Sequence, residues 1–485
     1  MREDREPQLV TLAGVPGIGK SRLVYELFRA IESGGELTFW RQGRSPAYGE
    51  EVSFWAFGEV VKAQAGILET DDGAQTEEKL REAIAALVSD AAGAQWLERH
   101  LRPLVGLEGG DVGSNRRGEA FAAWRRFLEA LAEQRPLVLV LEDLHFADDG
   151  LLDFVDYLAD WATGVPILVV ATARPELLLR RPGWGGGKAN AVTLSLAALS
   201  DEDTARLLQA LLERPLLSAE VQATLLSRAG GNPLYAEEFV RLLAEHRPPE
   251  ELPETVQGLI AARIDALPAE EKALLQDAAV LGKSFWLGAT ASLSAVERRA
   301  AEERLHALER KEFVRRERRS SVDREVEYAF RHLLMRDVAY GQIPRAARAD
   351  KHLLAARWIE ALGRPEDHAE LLAHHYLRAL ELLRAARRST ADLAEPAYLA
   401  LRAAGDRAFA LNAFAHAAHL YEQASELLLN EDPARPEVLF RRAHALHLAA
   451  AEQQFEALEV ARDALLRAGD DGRAAEAEAL LARAW

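Results

Sequence analysis

Apolar runs and helical patterns alternate along the first 200 residues. "QLVTLA" (8–13) is a short apolar run. After a glycine-rich stretch comes a segment whose apolar positions share one helical face from Ser21 to Ile31. That pairing predicts a buried strand followed by an amphipathic helix. "LVLVL" in 137–141 and "VPILVV" in 165–170 are continuous apolar runs, as expected of parallel strands covered on both faces. "ELTFWRQG" (36–43) and "AVTLSL" (191–196) complete five candidate strands with helical stretches between them. The alternation predicts an α/β core, a parallel sheet in three layers with right-handed crossovers.

Beyond residue 197 the pattern turns mostly helical. "LSDEDTARLLQALL" opens on a cap, Ser200, with Asp203 three residues later. "GGNP" (230–233) ends one helix and starts the next, and "RPPEELP" (247–253) is a proline-rich boundary. Two amphipathic helices follow, then a helix and a hairpin formed by "EFVRR" and "VEYAF", an order that suits a winged helix. From about residue 351 the chain is rich in alanine and leucine. "AFAHAAHLYEQASELL" and "QQFEALEVARDALL" resemble each other, Ala417 and Ala424 aligning with Ala457 and Ala464. Small residues at that spacing permit close packing in tetratricopeptide (TPR)-like helical hairpins. The "NEDPARPE" loop lengthens one unit. The final helix, "LLARAW", lacks a polar capping repeat, so the array is expected to continue in a longer protein or to pair with something. The expected divisions are 1–197 (α/β core), 198–247 (helical lid), 248–350 (winged-helix-like) and 351–485 (TPR-like repeats).

Composition narrows the function classes. The 485 residues include no cysteine and carry a net charge of −18. Disulfides and thiolate metal sites are excluded. "MREDREPQ" has no apolar core for a signal peptide, and no apolar run approaches the roughly 18 residues of a membrane span. A cytoplasmic location without membrane contact is the expectation. An acidic chain is a poor generic nucleic-acid binder. Arg315, Arg316, Arg318 and Arg319 form a basic run in the hairpin, but Glu309, Glu312, Glu317, Glu325 and Glu327 dilute its field; a solvated wing is expected.

The chemistry concentrates at three strand ends. Gly14, Gly19, Lys20 and Ser21 fit G-x-x-x-x-G-K-[ST]. Glycines let successive backbone N–H groups curl toward one anion, and the helix start adds its positive end. The loop residues Gly14, Pro16, Gly17, Ile18, Gly19, Lys20, Ser21 and Arg22 are therefore expected to line a phosphate site. Lys20 would reach the β- and γ-phosphates, and the Ser21 hydroxyl would bind Mg²⁺. The run "LVLVL" ends in Glu142 and Asp143, carboxylates that an open α/β sheet places beside such a loop. One would serve the metal shell and the other polarise a water. By position Glu142 matches the magnesium acid and Asp143 the water-activating one. Arg174, just past the next strand, could sense the γ-phosphate.

The ordered set "GVPGIGKSRL", "LVLVLEDLHFAD", "VVATARPEL" and "GGNPLYAEEFVRLL" resembles the signal-transducing ATPases with numerous domains (STAND). It is similar in particular to modules found beside class III adenylate cyclases and in large LuxR-type regulators. The resemblance implies a P-loop NTPase core, a helical lid, a winged helix and C-terminal repeats. It also implies an ATP/ADP switch using Mg²⁺, with a protein partner on the repeats and nucleotide-dependent oligomers. Gly19, Lys20 and Ser21 match the family's phosphate loop, Glu142 and Asp143 its acidic pair, and Arg174 its arginine after the sensor strand. Pro233 matches the lid proline that packs on adenine. Members usually carry a "GRE"-like segment some tens of residues before the loop. Thirteen residues precede Gly14, so the chain is expected to be shortened relative to the family. The expected function is an ATP-binding, slowly hydrolysing signalling switch. The rivals are a TPR-type scaffold with a degenerate nucleotide site, and a fragment of an ATP-dependent transcriptional regulator.

Histidines and aromatics receive plainer readings. His145 could orient a loop near the site, and His332 is expected to pack or cap. His368, His374 and His375 lack the H-E-x-x-H pattern and read as a surface helix. Trp40, Phe54, Trp55, Trp124 and Trp161 are expected in the core.

Overall fold

A computed structural model describes residues 5–35, 37–46, 52–107, 116–211, 226–244, 253–317, 320–322, 324–362 and 368–484. The chain gathers into two compact units. One comprises residues 1–47, 131–145 and 159–344; the other comprises 48–130, 146–158 and 345–485.

In the first unit, β1 (Gln8–Ala13), β2 (Phe39–Arg44), β3 (Leu137–Glu142), β4 (Ile167–Ala173) and β5 (Ala191–Ser195) form a parallel sheet in the order β2-β3-β4-β1-β5. These are the five strands the apolar runs predict. All six residues of β3 are buried, which accounts for its unbroken apolar sequence: a strand covered on both faces has no solvent side. β5 lies at an edge, and its Val192 and Leu194 are 48% and 47% exposed. Ala13 of β1 pairs with both Ala173 of β4 and Ser195 of β5, so these three strands end level. The helix Lys20–Ser33 packs back on the sheet through Val24, which joins Leu12, Val138, Val140 and Val170 in one cluster. Each such buried side chain contributes about 1.5–3 kcal/mol before the cost of ordering the chain is deducted.

The same unit holds a three-stranded antiparallel sheet of β6 (Ser284–Trp286), β7 (Val314–Arg316) and β8 (Glu327–Phe330), with β8 central. The expected hairpin is the β7–β8 pair. Helices Ala269–Leu281, Arg298–Arg310 and Leu333–Gly341 pack around it. Two of the acids stand beside the hairpin's described arginines. Arg315 pairs with Glu317 at 3.0 Å, and Glu309 accepts the Arg316 backbone N–H at 3.0 Å. Arg318, Arg319 and residues 247–252 lie outside the described residues.

In the second unit, seven successive helices each pack on the next: Arg345–Glu360, Ala369–Ala385, Ala391–Ala410, Phe414–Glu426, Arg435–Leu448, Gln454–Ala468 and Asp471–Ala484. Ala417, Ala424, Ala457 and Ala464 are all buried at the contacts. Gly405 marks one close approach, since a Cβ there would stand 2.6 Å from the Tyr421 ring.

Two expectations are corrected here. His368, His374 and His375 are buried, not on a surface helix. The helix Ala369–Ala385 is covered on two sides, by Arg345–Glu360 and by Ala391–Ala410. Trp161, expected in the core, is 61% exposed at the end of its helix. Phe54 and Trp124 are core residues as expected. Trp124 packs edge-on against Phe54 (ring centroids 4.8 Å) and Phe154 (5.3 Å), and its indole N–H donates to the His100 carbonyl at 2.9 Å. Trp124→Phe keeps most of the packing but removes that donor. It is expected to cost about 1–2 kcal/mol, seen as a lower denaturant midpoint at unchanged slope.

Candidate nucleotide site

The phosphate-loop motif folds as a tight curl between β1 and the helix Lys20–Ser33. Gly17 (φ 83°) and Gly19 (φ 110°) occupy left-handed backbone regions that a side chain would strain. A Cβ on Gly14 would stand 2.7 Å from Ile18 Cγ2, so the loop's closeness also requires glycine there. The Lys20 ammonium folds over its own loop, donating to the carbonyls of Gly14 (2.6 Å) and Val15 (3.0 Å). Burial lowers the Lys20 pKa to about 8, with Asp143 opposing the shift and Arg174 adding to it. Ser21 is exposed on the first turn of the helix. Arg22 points along the outer face and pairs with Glu26 at 2.7 Å.

The "GGNP" stretch docks directly on this loop. The Asn232 side-chain amide donates to the Pro16 carbonyl at 3.1 Å, while its Oδ1 accepts the Leu234 N–H at 3.0 Å. A Cβ on Gly17 would stand 2.6 Å from Leu234 Cβ. Pro233 begins the helix Pro233–Ala244, where its missing N–H costs nothing and its fixed φ suits the first turn.

The two acids at the end of β3 have different surroundings. Glu142 is 5% exposed and is held by the Arg44 guanidinium from the end of β2, with Nε 2.6 Å from the carboxylate. Burial alone would raise its pKa, but the Arg44 and Lys283 charges outweigh that and hold it at about 2. Asp143 adopts φ 60°, uncommon for a residue with a side chain. Its N–H donates to Thr172 Oγ1 at 3.0 Å, and its carboxylate faces the Lys283 ammonium at 3.4 Å. Burial, and then the Arg44 charge, lower the Lys283 pKa.

Arg174 caps the helix Pro175–Arg180 just beyond β4. Its guanidinium stands 4.0 Å from Asp337, and its backbone N–H points at His145 Nδ1 at 3.4 Å. Burial lowers the His145 pKa to about 4, so its ring is neutral near pH 7. His332 sits at the N-cap of Leu333–Gly341, as expected, and burial with Arg241 lowers it to about 3.

The structure thus gathers the loop, the Pro233 stretch, Asp143 and Arg174 around Lys20, and gives Glu142 to Arg44. Sequence reading missed Arg44, Asn232 and Lys283. Arg44 was findable, because it ends a recognisable strand on the same rim. Asn232 lies inside the "GGNP" signal. Lys283 has no local signal, because only the packing of a distant segment brings it to Asp143.

Several known proteins are similar to this chain. An uncharacterized protein of Rhizobium meliloti (strain 1021) is 26% identical over 295 residues, covering 55% of this chain and 28% of its own length. Among solved structures, a STAND protein with a tetratricopeptide repeat sensor from Pyrococcus horikoshii shares 15% identity. It covers 96% of this chain and 64% of its own, at a TM-score of 0.47. The Aeropyrum pernix ORC1 protein in complex with DNA shares 16% identity, covering 69% of this chain and 87% of its own, at a TM-score of 0.29. This chain therefore spans well under two thirds of the curated relative and slightly under two thirds of the Pyrococcus horikoshii structure. The family model described as AAA ATPase domain matches residues 1–170, the stretch that contains the phosphate loop and both acids, and it makes this region an ATPase-type nucleotide module.

Proposed function

We propose that the chain is an ATP-binding, slowly hydrolysing switch whose nucleotide state is passed to the C-terminal helical repeats, which hold a protein partner. One observation carries this reading: the Pro233 stretch is bonded to the phosphate loop itself, through Asn232 to Pro16 and Leu234 against Gly17. A change in what the loop holds then acts directly on the helix Pro233–Ala244.

The residues present fit a nucleotide. The loop from Gly14 to Arg22 would hold the phosphates, with the Lys20 ammonium exchanging two carbonyls for phosphate oxygens. Ser21 and the acidic pair would hold Mg²⁺, which supplies charge neutralisation at the phosphates. Pro233 would pack on the base. Glu142, fixed by Arg44 and kept ionised, orders the rim. Asp143, whose charge acts on Lys20, would orient an attacking water. Arg174 would balance charge at the far phosphate. In this reading residues 198–247 serve as the lid, 248–350 as a winged-helix-like relay and 351–485 as TPR-like repeats, in a protein of the cell interior. Among the described residues no helix is long and apolar enough to cross a membrane.

The lowered Lys20 pKa gives a test. Phosphate beside the ammonium favours its charged form, so binding above pH 8 must take up a proton. ATP affinity is expected to hold steady from pH 6.5 to 7.5 and then fall by up to about tenfold per pH unit above 8. Lys20→Arg, charged throughout, should flatten that profile. Calorimetry in buffers of different ionisation heat reads the proton directly. A flat profile in the unaltered chain would show that Lys20 does not meet the phosphates.

A further inference from the structure

We infer that the first pair of repeat helices contains a transition-metal site built from His352, His374 and His375, with Zn²⁺ as the fitting ion. The inference is independent of the nucleotide reading.

His352 lies on the helix Arg345–Glu360, while His374 and His375 are successive residues of the helix Ala369–Ala385. All three are buried, at 1%, 8% and 1% exposure. Each offers a ring nitrogen such that all the offered atoms lie within 4.8 Å of one another. The Nδ1 atoms of His352 and His375 are 2.9 Å apart. The ring centroids are 5.1 Å apart for His352 and His375, 5.4 Å for His374 and His375, and 6.0 Å for His352 and His374.

The geometry is that of ligands around one point. Zn–N bonds of about 2.0–2.1 Å in a tetrahedral shell place neighbouring nitrogens roughly 3.4 Å apart. The observed spacings bracket that value, so closing on an ion asks for small ring movements and no change of helix. Successive residues on a helix point about 100° apart. His374 and His375 therefore reach the common focus from different directions, and His352 comes to it from the facing helix.

Chemistry selects the class of ion. Imidazole suits Zn²⁺, Cu²⁺ and Ni²⁺, whereas Mg²⁺ and Ca²⁺ require oxygen. Three neutral ligands leave a fourth position for water or an incoming group. An ion there would staple the two helices to each other, stiffening the start of the array that the partner is proposed to read.

The test uses the full chain, stripped with a chelator and titrated with Zn²⁺ by calorimetry and with Co²⁺ by visible absorption. The expected results are one equivalent of Zn²⁺ bound with a Kd near or below about 1 µM, a raised melting temperature, and Co²⁺ d–d bands of low-coordinate form. His352→Gln and His375→Gln should each weaken binding at least about thirtyfold. His306→Gln, on a helix of the other unit, should leave it unchanged. If either cluster variant fails to fold, the Co²⁺ spectrum and stoichiometry of the unaltered chain decide alone. No binding up to about 100 µM, octahedral Co²⁺ bands only, or equal binding by the His352 and His375 variants would overturn the site.

Discussion

Lys20→Ala is expected to lower ATP affinity by about a hundredfold or more while leaving the fold intact. The ammonium lies inside the loop's curl, already partly desolvated and held by two loop carbonyls. Charge-assisted hydrogen bonds to phosphate contribute about 1.5–3 kcal/mol each, and a partly dehydrated lysine forfeits little further solvation when it makes them. Removing it deletes that attraction and leaves the Gly14 and Val15 carbonyls to water, since the loop is partly exposed. The expected loss of stability is therefore small, under about 1.5 kcal/mol. Calorimetry for affinity and denaturant unfolding for stability separate the two effects. Unchanged affinity would remove the loop from the nucleotide site.

Arg263→Ala should produce the opposite pattern, a large loss of stability from a position outside the loop. Glu238, on the helix Pro233–Ala244, is fully buried. Its carboxylate is shared by Arg263 and by Arg241, the latter at 2.5 Å. Arg263 also donates to the Lys311 carbonyl at 2.7 Å and lies over the Phe313 ring at 4.4 Å, just before β7. Arg241 continues to Glu312 at 2.6 Å. Removing one partner of a buried ion pair costs about 3–5 kcal/mol when the other charge is left uncompensated; Arg241 stays on Glu238, so the lower end, about 3 kcal/mol, is expected. The double variant Glu238→Gln with Arg263→Met should recover much of this, because the pair's own net contribution is small. An Arg263→Ala chain that unfolds within about 1 kcal/mol of the original would contradict the assigned pairing. These residues also form the physical link from the loop-docked helix to the antiparallel sheet, the route the proposed switch requires.

Much of the fold was legible because periodicity reports burial. The β3 run reads as a two-sided strand, and the structure buries every one of its residues. The phosphate loop was legible because its glycines are dictated locally, by positive φ and by close approach. What escaped depends on contacts far apart in sequence. The docking of Arg44 on Glu142 spans 98 positions and that of Lys283 on Asp143 spans 140. The histidine cluster was misread for the same reason. His374 and His375 acquire their meaning from His352 on a separate helix, and an alanine-rich pattern does not reveal that both sides of a helix are covered. Trp161 shows the converse: an aromatic within an apolar pattern is 61% exposed at the end of its helix.

The proposed switch requires that the level end of the parallel sheet hold a nucleotide. Equilibrium dialysis of the unaltered chain against labelled ATP with Mg²⁺ tests it most directly. Saturable binding of one ATP per chain is expected, displaced by ADP and weakened about a hundredfold or more in the Lys20→Ala variant. No retention at millimolar ATP, or retention that the variant preserves, would contradict it.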